Sequence, residues 1–128
     1  MNRSALYFAV GLVLPVTGAV AQSSNDLTGA WSLVSLVEDH GGKLEHPFGE
    51  QPNGMINYDR NGMVMVFIAS NNRPKSSDRP TVPVGPSVAY YGTYALDGNN
   101  LTAHVKGSTY PNFEGTDQKG VIAIMATT

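Results

Sequence analysis

The chain has 128 residues, a formal charge of −2 and only 14% charged side chains, which makes one domain with a charge density below the roughly 25% of ordinary soluble proteins. No basic stripe is present to offset phosphate repulsion, which excludes nucleic acid as a partner, and no basic amphipathic helix suits a stable membrane-surface role. With no Cys the exported domain has no disulfide and no thiol nucleophile, while 14 Gly and 8 Pro point to short strands and many turns.

Residues 1–21 read as a secretory leader. Arg3 gives a positive start, residues 5–16 form an apolar run, and Ala19-Val20-Ala21 is a small-x-small cleavage signature before Gln22. The run is too short for a membrane span, and Pro15 and Gly18 weaken a continuous helix. The expected mature domain is therefore residues 22–128, secreted or periplasmic, with no stable membrane insertion after cleavage.

Residues 27–38 read as the first strand of that domain, with Trp31, Leu33, Ser35 and Val37 on one face and Ala30, Ser32, Val34 and Leu36 on the other. Asp39-His40-Gly41-Gly42-Lys43 is a turn, and residues 44–48 are a short return strand ended by Pro47 and Gly49. Residues 55–58 and 63–68 are strands joined by the turn Asp59-Arg60-Asn61-Gly62. The run Met63-Val64-Met65-Val66-Phe67-Ile68 has no polar break, so periodicity leaves open whether it is buried on both faces or has an outer side that meets another surface. Residues 69–86 carry Pro74, Pro80, Pro83 and Pro86, which argue against a strand, and are expected to form a lid over an open barrel end.

The most legible stretch is residues 88–106. Tyr, Thr and Ala dominate its first half, Asp97-Gly98-Asn99-Asn100 supplies a reversal, and Leu101, Ala103 and Val105 then alternate with Thr102, His104 and Lys106. On that register Tyr90, Gly92 and Tyr94 share one face, and Tyr91, Thr93 and Ala95 the other. Several words of this region and two upstream carry a family resemblance: Gly29-Ala30-Trp31-Ser32-Leu33-Val34-Ser35, His46-Pro47-Phe48-Gly49, Tyr91-Gly92-Thr93-Tyr94, Gly107-Ser108 to Pro111-Asn112, and Gly115-Thr116-Asp117-Gln118. In this order, over about residues 27–118, they resemble the bacterial and fungal lipocalin-like domain family.

The resemblance implies an antiparallel, up-and-down β-barrel in which Trp31 plugs the closed end. It implies no shared catalytic set. Beyond Gln118 the tail Val121-Ile122-Ala123-Ile124-Met125 departs from the family pattern, so the barrel is expected to be incomplete on its C-terminal side, with a bare edge open to self-association.

Candidate chemistry is sparse. His40, His46 and His104 have no metal-ligand spacing, and no nucleophile elbow or phosphate loop occurs. No metal, cofactor or catalytic residue is assigned. The aromatic and thioether residues Tyr58, Met65, Phe67, Tyr90, Tyr94, Tyr110 and Phe113 are expected to line a cavity for a small hydrophobic ligand, since Tyr joins an apolar body to a hydroxyl that seeks a partner. The alternatives are a cyclase or isomerase acting on an apolar substrate through Asp78, Glu114, Asp117 or His46, and a structural module that pairs through its final edge.

Overall fold

Each segment with an alternating pattern is a strand in the computed structural model, which describes residues 5–10 and 27–125. The elements are β1 (Ala5–Val10), β2 (Gly29–His40), β3 (Lys43–Glu45), β4 (Asn53–Tyr58), β5 (Met63–Ala69), β6 (Ser87–Asp97), β7 (Asn100–Ser108), a 3-10 turn (Pro111–Phe113) and β8 (Asp117–Met125). Strands β4 to β8 form an antiparallel meander, each paired with the next. β2 is shared along its length: residues 29–32 pair with β4 and residues 38–40 with β3. The whole is an all-β, lipocalin-like curled sheet. Among the described residues no helix is long and apolar enough to cross a membrane.

The leader boundary at Ala21 lies outside the described residues. Within the stretch read as leader, residues 5–10 form β1, which pairs antiparallel with β8 and parallel with β2. The outer edge of β8 is thus occupied, and the bare C-terminal edge expected from the sequence is absent from the described structure. The uncharged tail is a continuous part of β8, because alternating small and apolar residues extend a ladder as well as the expected charged pattern would.

Two irregularities set which side chains face inward. In β2, Leu33 pairs with Leu6 but Ser35 with Tyr7, leaving Val34 as an extra residue. Trp31 and Leu33 are buried before this bulge and Leu36 after it, so the inner face changes phase along the strand. The second irregularity lies between Tyr91 and Gly92, where β6 pairs first with Gly107 and then with Val105. Here the strands approach so closely that a Cβ on Gly92 would stand 1.8 Å from the His104 carbonyl oxygen.

The inner faces then meet in one core that includes Leu27, Trp31, Leu36, Ile56, Tyr58, Val66, Leu101 and Ile122. The hairpin turns at residues 59–62 and 98–99 lie at one end of the barrel beside the start of β2. The longer connections at residues 70–86 and 109–116 lie at the other end. The first of these is not the expected lid. No residue from 70 to 86 is buried, because the segment is rich in Pro and polar residues and has nothing apolar enough to lay on the core. Its neck is closed by the Ser70 amide donating to the Pro86 carbonyl at 3.0 Å and by the Arg73 Nε donating to the Ser70 carbonyl at 3.0 Å.

Gly92→Ala should therefore lower stability by about 1–3 kcal/mol or more, the usual range for forcing extra volume into a packed site. Urea denaturation read by Trp31 fluorescence checks this; an unchanged midpoint would show that β6 and β7 can separate there without loss.

Candidate functional site

The interior is bounded by two groups of aromatic rings. At the closed end the Trp31 indole N–H donates to the Leu27 carbonyl at 2.6 Å, and the ring is almost fully buried. Tyr58 and Tyr94 meet there edge to face, with centroids 4.9 Å apart at 68°. The Tyr94 hydroxyl donates to the Asp59 carbonyl at 3.0 Å. Asp59 in turn builds the adjoining turn: its Oδ1 accepts from the amides of Asn61 at 2.8 Å and Met63 at 2.9 Å. An Asp at the start of a reversal ending in Gly62, with φ 83°, thus fixes the loop that holds Tyr94.

The second group stands at the open end. Phe113, on the 3-10 turn, contacts Tyr90 and Tyr110 edge to face at centroid distances of 6.0 and 5.0 Å. The loop that carries it is tied to the sheet on both sides. The Thr109 amide donates to the Ala89 carbonyl at 2.8 Å, and the Gly115 amide to the Val105 carbonyl at 2.9 Å. Phe113 is half-buried and packs on the core, whereas Tyr110 is exposed.

Between the groups lies a cavity of about 30 Å3 lined by Leu33, Leu36, Ile56, Tyr58, Val64, Val66, Ile68, Tyr90, Leu101, Ala103 and Gln118. A void needs roughly 10–15 Å3 to hold a water molecule, so this space admits one or two. Its polar lining residues are Tyr58, Tyr90 and Gln118, whose side-chain amide donates to Thr116 Oγ1 at 3.0 Å. Tyr58 is 1% exposed, and among the described residues no buried side-chain N or O atom lacks a hydrogen-bond partner. Buried tyrosine hydroxyls usually find a partner.

The residues singled out from sequence therefore separate. Tyr58 and Tyr90 line the cavity, Tyr94 and Trp31 close its base, and Phe113 covers its mouth. Met65 and Phe67 do not line it. They project from the outer face of β5, 63% and 42% exposed, because the apolar run is an ordinary alternating strand in which Val64, Val66 and Ile68 take the inner side. With Met55 and Tyr91, which pair across to Phe67 and Met65, they form an external apolar patch. Beside it runs an open groove of about 310 Å3 that includes Met65, Tyr91 and Gly107. Tyr110 stays outside as well.

The residues offered for acid–base chemistry, Asp78, Glu114, Asp117 and His46, are all exposed. Asp117 faces His104 across β7 and β8, with Oδ1 2.8 Å from Nδ1, an exposed cross-strand pair of small energetic weight. Sequence reasoning passed over Gln118, which sits beside Asp117 in one of the quoted family words, and Leu36, whose inward turn depends on a bulge that alternation cannot show.

A family model described as the lipocalin-like domain matches residues 28–125. The chain belongs to the lipocalin-like domain family. The match runs through residues 119–125, so the tail that departs from the family words still falls within the domain. Searches of curated proteins and of solved structures returned no match. The fold of this lipocalin-like domain is a ligand-binding one, and its interior is the candidate site.

Burial keeps both cavity phenols neutral. Desolvation pushes Tyr90 from its ordinary value of 10.0 up to about 12. Desolvation also raises Tyr58, more strongly, with the nearby Tyr90 and Tyr94 adding to the effect. They are hydrogen-bond donors at any physiological pH and cannot serve as bases. A folded pKa above the unfolded one means that the unfolded chain loses protons first as pH rises. Stability should hold below pH 10.0 and fall as pH rises toward about 12. Absorbance titration of the six tyrosines should show two ionising late, together with unfolding; six normal titrations in a folded protein would contradict the assigned burial.

Proposed function

We propose that this lipocalin-like domain binds a small, largely apolar molecule carrying one hydrogen-bond acceptor, such as a carbonyl, ether or hydroxyl oxygen. The observation that carries this reading is an apolar cavity inside the lipocalin-like fold whose few polar lining residues are Tyr58, Tyr90 and Gln118. A ligand oxygen would accept from a cavity phenol, and the ligand's hydrocarbon part would lie against Val66, Ile68 and Leu101. Small-molecule sites commonly join an apolar lining to a few placed polar groups.

The cavity is too small for such a ligand as it stands, since ligand pockets run to several hundred Å3. Binding therefore requires the mouth to open. Phe113 is the side chain to move: it is held by two ring contacts on a three-residue 3-10 turn that has no buried residue of its own. Displacing it would join the interior to solvent without breaking a strand ladder. The exposed carboxylates leave a cyclase or isomerase without an internal acid or base, so binding is the better supported reading. Export belongs to the same proposal on the strength of the sequence, through the leader at residues 1–21.

A matched pair of probes, 2-nonanone and nonane, tests the role of the hydroxyl by native mass spectrometry and calorimetry. The protein should prefer the ketone, and Tyr58→Phe should remove about 2- to 12-fold of that preference, the equivalent of one hydrogen bond of about 0.5–1.5 kcal/mol. Equal uptake of both probes, or of neither, would refute the proposed chemistry.

A further inference from the structure

β1 is the one described strand that joins the sheet through a parallel ladder. It runs antiparallel to β8, from Ala5 opposite Met125 to Ala9 opposite Val121. It runs parallel to β2, from Leu6 opposite Leu33 to Val10 opposite Glu38. β2 and β8 do not pair with each other. Without β1 each would present unpaired backbone along these residues, and the ring of strands would be open. A parallel pair of successive strands needs a crossover of a dozen or more residues. β1 and β2 are far enough apart in sequence for that requirement to be met.

We infer that the gap between β2 and β8 is an acceptor site for one extended, uncharged strand, and that Ala5–Val10 is its occupant. The same residues begin the apolar run of the proposed leader, residues 5–16. Retention of the run closes the barrel, and its removal by cleavage leaves a seam that takes up the same segment when it is offered in trans. The occupant fits on two counts. Ala-Leu-Tyr-Phe-Ala-Val is uncharged and rich in strand-forming residues, and it lies beside Val121-Ile122-Ala123-Ile124-Met125, which is uncharged too. Recognition by an added strand rests on main-chain hydrogen bonds to both edges, with side chains setting specificity. The acceptor site is independent of the ligand reading, and only its exposure by cleavage depends on the leader.

Hydrogen exchange on the intact chain tests the assignment first. Amides of residues 6–10 should be protected to the same degree as those of residues 118–122. Phe8→Pro in the intact chain comes second: β1 has a neighbour on each side, so no edge is left on which a missing N–H is tolerated. That variant should lose protection in β8 and lower the melting temperature. A synthetic peptide of residues 3–12 should restore both, and a scrambled peptide of the same composition should not. Free exchange of residues 6–10 in the native chain would overturn the inference, whether or not the variant stays soluble. So would a Phe8→Pro chain with unchanged β8 protection and melting temperature, or one that the scrambled peptide restores equally.

Discussion

The close approach of β6 and β7 at Gly92 is the constraint on which the rest of the molecule depends. A side chain there would strike the His104 carbonyl, so only glycine lets the two strands keep their ladder. The bulge beside it holds Tyr90, Gly92 and Tyr94 on the inner face while passing over Lys106. One glycine thus sends Tyr94 to the base of the barrel and Tyr90 toward its mouth. The remaining strands close around that pair. With no disulfide, they are held by backbone ladders and one shared apolar interior.

Function follows from what lines this interior. Most of it is packed as tightly as an ordinary core, and the cavity holds little more than water. Its polar residues are few, Tyr58, Tyr90 and Gln118 in an otherwise apolar lining. Burial holds both cavity tyrosines in the donor state, which suits an acceptor-bearing ligand and disfavours acid–base chemistry. The Phe113 side chain at the mouth is held by ring contacts, on a loop that backbone hydrogen bonds tie to the sheet at Thr109 and Gly115.

The hairpin was legible in the sequence because alternation, turn residues and the family words agreed over residues 88–106. Its faces lie as the pattern implies, with Leu101, Ala103 and Val105 buried. The β5 side chains were harder. Six apolar residues in succession carry no phase, so Met65 and Phe67 looked like cavity residues until the register with β4 and β6 placed them outside. The phase change in β2 was hidden for a related reason, since a bulge is a property of pairing and leaves no mark on alternation. The Pro content of residues 70–86 marks a loop in the sequence, but length and Pro content say nothing about where a loop lies, and none of its residues is buried. No local pattern showed β1 as the partner of β8, since an apolar run that suits a leader equally suits a strand.

The central claim is that ligand enters the barrel interior, not the external patch beside it. Nuclear Overhauser contacts between 2-nonanone and the methyl groups of the protein decide this most directly, because the two sites share no methyl-bearing residue except Val66. The account predicts contacts to Leu33, Ile56, Ile68 and Leu101. Contacts confined to Met55, Met65 and Ala89 would place the ligand on the outer face and contradict it.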